Sequence, residues 1–220
     1  MRSPSTGITR EGVPIIGMAV LVTLCLALLG WPIPTIIALI LTLGIVHFFR
    51  DPERVIPEGQ GLAVSPADGR ILNVKSRPDP VSSQQRPRVS IFMNVFNVHV
   101  NRAPVQGSLT HIAYHPGKFL RASLSTSDTT NERNVLVLED EQGQSWTMVQ
   151  IAGLIARRIV CWAEVGDSVF RGQRVGLIKF GSRVDLYLPE DYEVRVRPGE
   201  HVLAGQTIIA KKRESQSTHV

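Results

Sequence analysis

Gly166-Asp167-Ser168-Val169-Phe170-Arg171-Gly172-Gln173 returns 33 residues later as Gly199-Glu200-His201-Val202-Leu203-Ala204-Gly205-Gln206. Each copy reads Gly-acid-x-Val-x-x-Gly-Gln and runs into an apolar segment. Glycines at both ends supply backbone conformations that a tight reversal needs, and a valine is inserted between them. Two copies are too few for a solenoid, so the echo points to one β domain built with internal pseudo-symmetry. Outward from the two turns, everything after Arg54 has the same texture: short runs rich in Val, Ile and Leu, broken by Gly, Pro, Asn and Asp. This spacing predicts strands over 69–74, 88–92, 99–101, 108–114, 135–139, 146–151, 160–163, 174–179, 183–188 and 206–211. The polar stretches 79–86 and 125–134 read as exposed loops.

The paired turns resemble those of lipoyl and biotinyl carrier domains, which implies a flattened β-barrel or sandwich. A carrier presents a modifiable lysine at a hairpin tip; between the two copies this chain has Gly181-Ser182 instead. The expected fold class is therefore mainly β, a flattened barrel or sandwich with carrier-like pseudo-repeats, preceded by an N-terminal hydrophobic helical hairpin.

The hairpin follows from charge patterning. From Val13 to Phe49 there is no Asp, Glu, Lys or Arg, and the run divides at Trp31-Pro32-Ile33-Pro34 into 13–30 and 33–49. Each half barely spans a bilayer core of about 30 Å at about 1.5 Å per residue. The apolar run is too long for a signal peptide and resumes after the prolines. Arg2 and Arg10 precede it and Arg50 and Arg54 follow it, so both ends are expected on the cytoplasmic side of the cell membrane. Residues 1–54 are thus read as a membrane anchor with a basic flank and 55–220 as the functional domain. A net charge of +5 and a pI near 9.6 suit an anionic membrane surface. Arg50 and Arg54 are expected to seat the domain there. Nucleic acid is not an expected partner, because the basic residues are scattered with few aromatics among them. Cys25 and Cys161 lack redox or metal spacing and read as reduced packing residues. No metal is expected: His111 and His115 form the only close histidine pair and nothing nearby completes a ligand set.

Four stretches carry candidate chemistry. In Phe180-Gly181-Ser182-Arg183 a hydroxyl follows a glycine carbonyl that no side chain shields. In a strained near-attack geometry Ser182 could attack that carbonyl, shift the acyl group from nitrogen to oxygen and, after elimination and hydrolysis, leave a pyruvoyl group on a new N-terminus. Asp68 lies in the turn Ser65-Pro66-Ala67-Asp68-Gly69, where an ordinary turn-capping role is the plain alternative. His99 stands amid apolar residues, as core histidines also do. Arg157-Arg158 could face a phosphate or simply end a strand.

In order along the chain, Phe48-Phe49-Arg50-Asp51-Pro52-Glu53-Arg54, Pro66-Ala67-Asp68-Gly69, Val98-His99-Val100-Asn101-Arg102-Ala103-Pro104, Asn131-Glu132-Arg133-Asn134, Ala156-Arg157-Arg158-Ile159 and Phe180-Gly181-Ser182 resemble the motifs of the short phosphatidylserine decarboxylase proenzymes. The resemblance implies self-cleavage between Gly181 and Ser182 into chains 1–181 and 182–220 that stay associated. It implies a covalent pyruvoyl cofactor derived from Ser182, and Asp68, His99 and Ser182 as catalytic residues. The implied reaction is decarboxylation of phosphatidylserine in the membrane to phosphatidylethanolamine, through a Schiff base. A homo-oligomer is left open. Longer members carry Leu-Gly-Ser-Thr at the cleavage site and a second histidine where this chain has Arg102. Two other readings stand beside this one: a pyruvoyl-dependent decarboxylase of a soluble amino acid, and a non-catalytic membrane-tethered adaptor of carrier type.

Overall fold

The β-branched runs after Arg54 do form strands, and the uncharged run before it forms two helices. The computed structural model describes residues 7–118, 120, 130–153, 158–179 and 181–213. The chain divides into two compact units. One holds the residues through Glu53 together with Val95–Val98, and the other holds Arg54–Asn94 and the residues from His99 onward.

In the first unit a 3-10 turn, Arg10–Gly12, leads into α1 (Val13–Leu28), and Leu29-Gly30-Trp31 reverses the chain into α2 (Pro32–Phe48). Pro32 and Pro34 sit in the first turn of α2, where a missing N–H leaves no hydrogen bond unmade. α1 buries no residue and displays Met18, Leu21, Leu24 and Leu28. The helices touch through Thr23 and Thr42, whose hydroxyls lie 3.0 Å apart while each also donates to the carbonyl four residues earlier in its own helix. By length and composition Arg10–Leu28 suffices to cross a membrane; Pro32–Phe48 is shorter. The helix limits fall within two residues of the expected ones. Arg50 stays within this unit, donating to the carbonyls of His47 and Phe96 at 2.6 and 2.7 Å.

The second unit is mainly β. Its strands are β1 (Leu62–Val64), β2 (Gly69–Pro78), β3 (Gln85–Met93), β4 (Val100–Arg102), β5 (Gly107–His115), β6 (Arg133–Asp140), β7 (Ser145–Ile151), β8 (Ile159–Cys161), β9 (Ser168–Val169), β10 (Arg174–Ile178), β11 (Ser182–Tyr187), β12 (Tyr192–Val194), β13 (His201–Val202) and β14 (Ile208–Lys212). Eight of them build a sheet in the order β13-β2-β3-β11-β7-β6-β5-β9, curled into a half-barrel; β1-β14-β12 and β4-β10-β8 form two three-stranded sheets. Inward residues alternate with outward ones, so Val89, Ile91, Met148, Val184 and Leu186 join one core around the fully buried Trp146, which meets the Tyr192 ring edge-on at 4.5 Å.

The strand order reads the same from both ends once β13, β2, β3 and β11 are exchanged for β9, β5, β6 and β7. The turn repeat supports this exchange in detail. Gly166 and Gly199 have φ of +94° and +95°, and Gly172 and Gly205 have +77° and +75°, values at which a side chain would be strained. Gly166 donates to the Leu109 carbonyl while Leu109 donates to that of Asp167; Gly199 and Ile71, then Ile71 and Glu200, do the same. The partners disclose a second repeat, Ser65-Pro66-Ala67-Asp68-Gly69-Arg70-Ile71 against Ala103-Pro104-Val105-Gln106-Gly107-Ser108-Leu109. Sequence reading passed over it because only the proline and the glycine are identical.

Two expectations are corrected. Stretch 79–86 is a shorter connection than a loop of that span, because Gln85 and Arg86 are already paired with Pro78 and Arg77. Asp79 is buried and accepts the N–H groups of Val81 and Ser82, so the turn closes on its own aspartate. Arg133 and Asn134 belong to β6, while 125–129 lie outside the described residues. β1, β9, β12 and β13 are two or three residues long and show no alternation from which to predict them.

Candidate active site

β11 is a central strand, paired with β3 on one side and β7 on the other, and its first residue is Ser182, registered with Met93. Alternation puts Ser182 on the inward face with Val184 and Leu186. Its side chain is fully buried, and Oγ has no hydrogen-bond partner among the described residues. A buried hydroxyl left without a partner costs free energy, as groups kept for chemistry often do. Gly181, just before it, holds φ at +48° with no atom within 4 Å of the position a Cβ would take. The bond between them therefore joins a left-handed residue, open where a Cβ would stand, to an unengaged nucleophile. Phe180 lies outside the described residues.

Asp68 reaches the same end of the sheet from β2. The Gly69 that follows it lies so close to β3 that a Cβ would fall 2.2 Å from the Phe92 carbonyl oxygen, and the next residue of β3 is Met93, opposite Ser182. Asp68 is 3% exposed and both carboxylate oxygens are engaged: Oδ1 accepts the Ala204 N–H at 2.7 Å and Oδ2 accepts Arg54 Nη2 at 2.9 Å. Its carboxylate is thus held by Arg54 and Ala204. Arg54, expected on the membrane side, turns inward instead, giving Nη1 to Gln206 Oε1 at 2.8 Å. His99 is buried just ahead of β4, and its carbonyl accepts the Ile178 N–H at the end of β10, four residues upstream of Ser182. The three candidates approach one end of the unit from β2, β4 and β11.

Residues 41–210 match the phosphatidylserine decarboxylase family. The chain is 58% identical to a phosphatidylserine decarboxylase proenzyme of Nitratidesulfovibrio vulgaris over 96% of its own length and 98% of that protein's. It is 54% identical to a proenzyme of the same name from Oleidesulfovibrio alaskensis, with 97% and 98% covered, and 51% identical to one from Solidesulfovibrio magneticus, with 97% and 100% covered. The chain belongs to the phosphatidylserine decarboxylase family. Asp68, His99, Gly181 and Ser182 all lie inside the matched region.

In this phosphatidylserine decarboxylase family member Arg102, standing where a second histidine occurs in longer relatives, is buried and donates Nη1 to the Gly172 carbonyl at 3.0 Å. It braces the first turn copy. Arg157 lies outside the described residues. Sequence reading missed a chain of buried amides on the inward face. Asn134 Nδ2 donates to Gln150 Oε1 at 3.0 Å, Gln150 Nε2 to Asn101 Oδ1 at 2.8 Å, and Asn101 Nδ2 meets Met93 Sδ at 3.7 Å. Each donor finds an acceptor, so the set ties β4 to β7 and ends on the methionine opposite Ser182. The available signal was polar residues at inward positions of otherwise apolar strands. A cleft of about 520 Å³ opens at the opposite copy, lined by Gly61, Gln106, Asp140, Arg171 and Tyr192 among others. It contains Gln106, the counterpart of Asp68, and none of Asp68, His99 and Ser182, so its size does not make it the site.

Proposed function

We propose that the chain is a membrane-associated phosphatidylserine decarboxylase that makes its own pyruvoyl group by cleavage between Gly181 and Ser182 and yields phosphatidylethanolamine and CO2. The observation that carries the reading is the buried Ser182 hydroxyl, without a partner among the described residues and joined to a glycine in the left-handed region. In maturation His99 takes the proton from Ser182 Oγ, and the oxygen attacks the Gly181 carbonyl carbon in place of the peptide nitrogen. Elimination then releases the Gly181 carboxylate and leaves dehydroalanine at 182; hydrolysis of its enamine form expels ammonia and leaves the ketone. Gly181 and Ser182 fit that product, since the new group would occupy space that Ser182 already holds and nothing crowds Gly181.

Once formed, the pyruvoyl group supplies a carbonyl for the substrate amine and an electron sink for decarboxylation. His99, whose imidazole can both take up and give back a proton, returns one to the substrate Cα, and Asp68 supplies fixed negative charge nearby. After the cut, β11 remains flanked by β3 and β7, while β13 stays paired with β2 and β14 with β1. Small chain 182–220 therefore keeps its ladders to the large chain and the two stay associated. The apolar hairpin supports membrane residence, on the cytoplasmic face by the flanking arginines, and disfavours a soluble amino acid as substrate.

Mass spectrometry of the purified protein tests the reading. The expected result is a fragment 1–181 and a fragment from 182 onward whose first residue has lost its amine, with Ser182→Ala remaining one chain of 24.3 kDa. Wild-type protein that stays intact and still decarboxylates phosphatidylserine would overturn it.

A further inference from the structure

We propose that Arg54 is the positioning residue for Asp68, fixing its carboxylate for self-cleavage and clasping the future small chain to the large one. The inference rests on the self-cleavage reading above. Arg54 opens the second unit, and its guanidinium spans two acceptors: Nη2 to Asp68 Oδ2 at 2.9 Å and Nη1 to Gln206 Oε1 at 2.8 Å. The other Asp68 oxygen takes the Ala204 N–H at 2.7 Å. One guanidinium donor on Oδ2 and a backbone N–H on Oδ1 fix both carboxylate oxygens, while the second guanidinium donor, held by Gln206, fixes the plane of the arginine. Ala204 and Gln206 lie after the cleavable bond, Arg54 and Asp68 before it, so the clasp joins the two products.

The pseudo-symmetry shows that this clasp departs from the common pattern of the turns. In the first copy Gln173 Oε1 accepts the Phe170 N–H of its own turn at 2.8 Å. Its counterpart Gln206 does not serve its own turn. The equivalent Leu203 N–H is taken by Thr207 Oγ1 at 2.9 Å, which releases Gln206 to receive Arg54. Asp68 itself replaces a residue that in the other copy is Gln106, which bonds to Glu141. Both exchanges between the copies bear on the arginine. A turn that needed only to close would keep its glutamine.

The test follows self-cleavage of freshly translated full-length chain by gel densitometry, with thermal melting of cleavage-blocked versions (each on Ser182→Ala) to check folding. Arg54→Ala is expected to lower the melting temperature, because it leaves the buried Asp68 carboxylate without its counter-ion, and, at a temperature where the blocked variant is folded, to slow processing about tenfold or more, with the rate recovered by added guanidinium ion but not by sodium chloride of equal ionic strength. Arg54→Lys keeps the charge but offers one ammonium for two acceptors, and is expected to fall between Arg54→Ala and wild type. If Arg54→Ala cleaves at the wild-type rate or faster, the arginine does not position the carboxylate. A slow Arg54→Ala variant that neither guanidinium nor lysine restores makes the residue structural only, which also overturns the proposal. Should Arg54→Ala not fold, Arg54→Lys decides alone: a several-fold loss of rate without a change in melting supports the proposal, and an unchanged rate overturns it. Wild-type chain that never cleaves sinks the self-cleavage reading itself, a result separable from all of these.

Discussion

At Gly181 an added methyl would meet nothing within 4 Å, yet φ is +48°; at Gly69 a Cβ would lie 2.2 Å from the Phe92 carbonyl oxygen. The first glycine is required by conformation and the second by space. A left-handed alanine costs roughly 1–2 kcal/mol, whereas a Cβ driven into a neighbouring strand must separate β2 from β3, an overpacking cost of about 3 kcal/mol. Denaturant unfolding on the Ser182→Ala background should therefore rank Gly69→Ala as the more destabilising change; the reverse order would mean that the turn, not the strand contact, limits this end of the sheet. Cys161 is decided by its surroundings in another way. Burial, the largest influence, pushes its thiol pKa up against a smaller opposing contribution from the Ala163 backbone. The thiolate is the reactive form, so near pH 8 iodoacetamide should modify Cys161 more slowly than free cysteine. Denaturation should erase the difference; equal rates in the folded protein would refute the shift.

At the scale of the element, β11 carries opposite demands on its two faces. Inward lie Ser182, Val184 and Leu186; outward lies Asp185, which accepts Arg183 Nη2 at 2.8 Å and Arg88 Nη1 at 3.3 Å with all three side chains at most 5% exposed. Removing the carboxylate leaves buried guanidinium charge short of a counter-ion, a change that typically costs about 3–5 kcal/mol. Asp185→Asn should lower the melting temperature by roughly 6–20 °C on the usual scaling for a domain of this size; a shift within about 2 °C would show that water reaches the cluster. This strand also marks how far the sequence could be read. Its existence followed from alternation, and the Gly181-Ser182 bond from chemistry, because both are local. That Arg183 and Asp185 would be buried was not legible, since alternation assigns the outward face to solvent and says nothing of what covers it. The Arg54–Asp68 pair was illegible for a related reason: charge counting placed Arg54 with the membrane flank, and only the fold brings it to a turn fourteen residues away. In the amide chain, Asn134 and Gln150 face each other across the β6–β7 hairpin, but the link from Gln150 to Asn101 joins strands remote in sequence, so no spacing rule could reveal it.

Over the whole molecule, pseudo-symmetry and the apolar hairpin divide the labour. The two halves of the second unit share turns, glycines and hydrogen bonds, yet Asp68 and Ser182 face one end only, so a structural repeat has been specialised at one of two equivalent places. Every hydrogen bond named above for Asp68 and Arg54 stays within that unit, and the hairpin contributes to none of them. Self-cleavage and lipid access should therefore be separable. Leu24 and Leu39 are exposed within the apolar lengths of α1 and α2, at 56% and 47%, and arginine in a spanning helix costs up to about 2.5–3.5 kcal/mol on insertion scales, most at its centre. The double variant Leu24→Arg, Leu39→Arg should leave the membrane fraction for the supernatant while still yielding two chains at the wild-type rate. Its turnover of phosphatidylserine in vesicles should fall steeply, because tethering no longer concentrates enzyme and lipid on one surface, whereas turnover of a short-chain, water-dispersed phosphatidylserine should persist. A double variant that remains membrane-bound would show that the hairpin is not the anchor. One that leaves the membrane but no longer cleaves itself would show that the site depends on the hairpin after all.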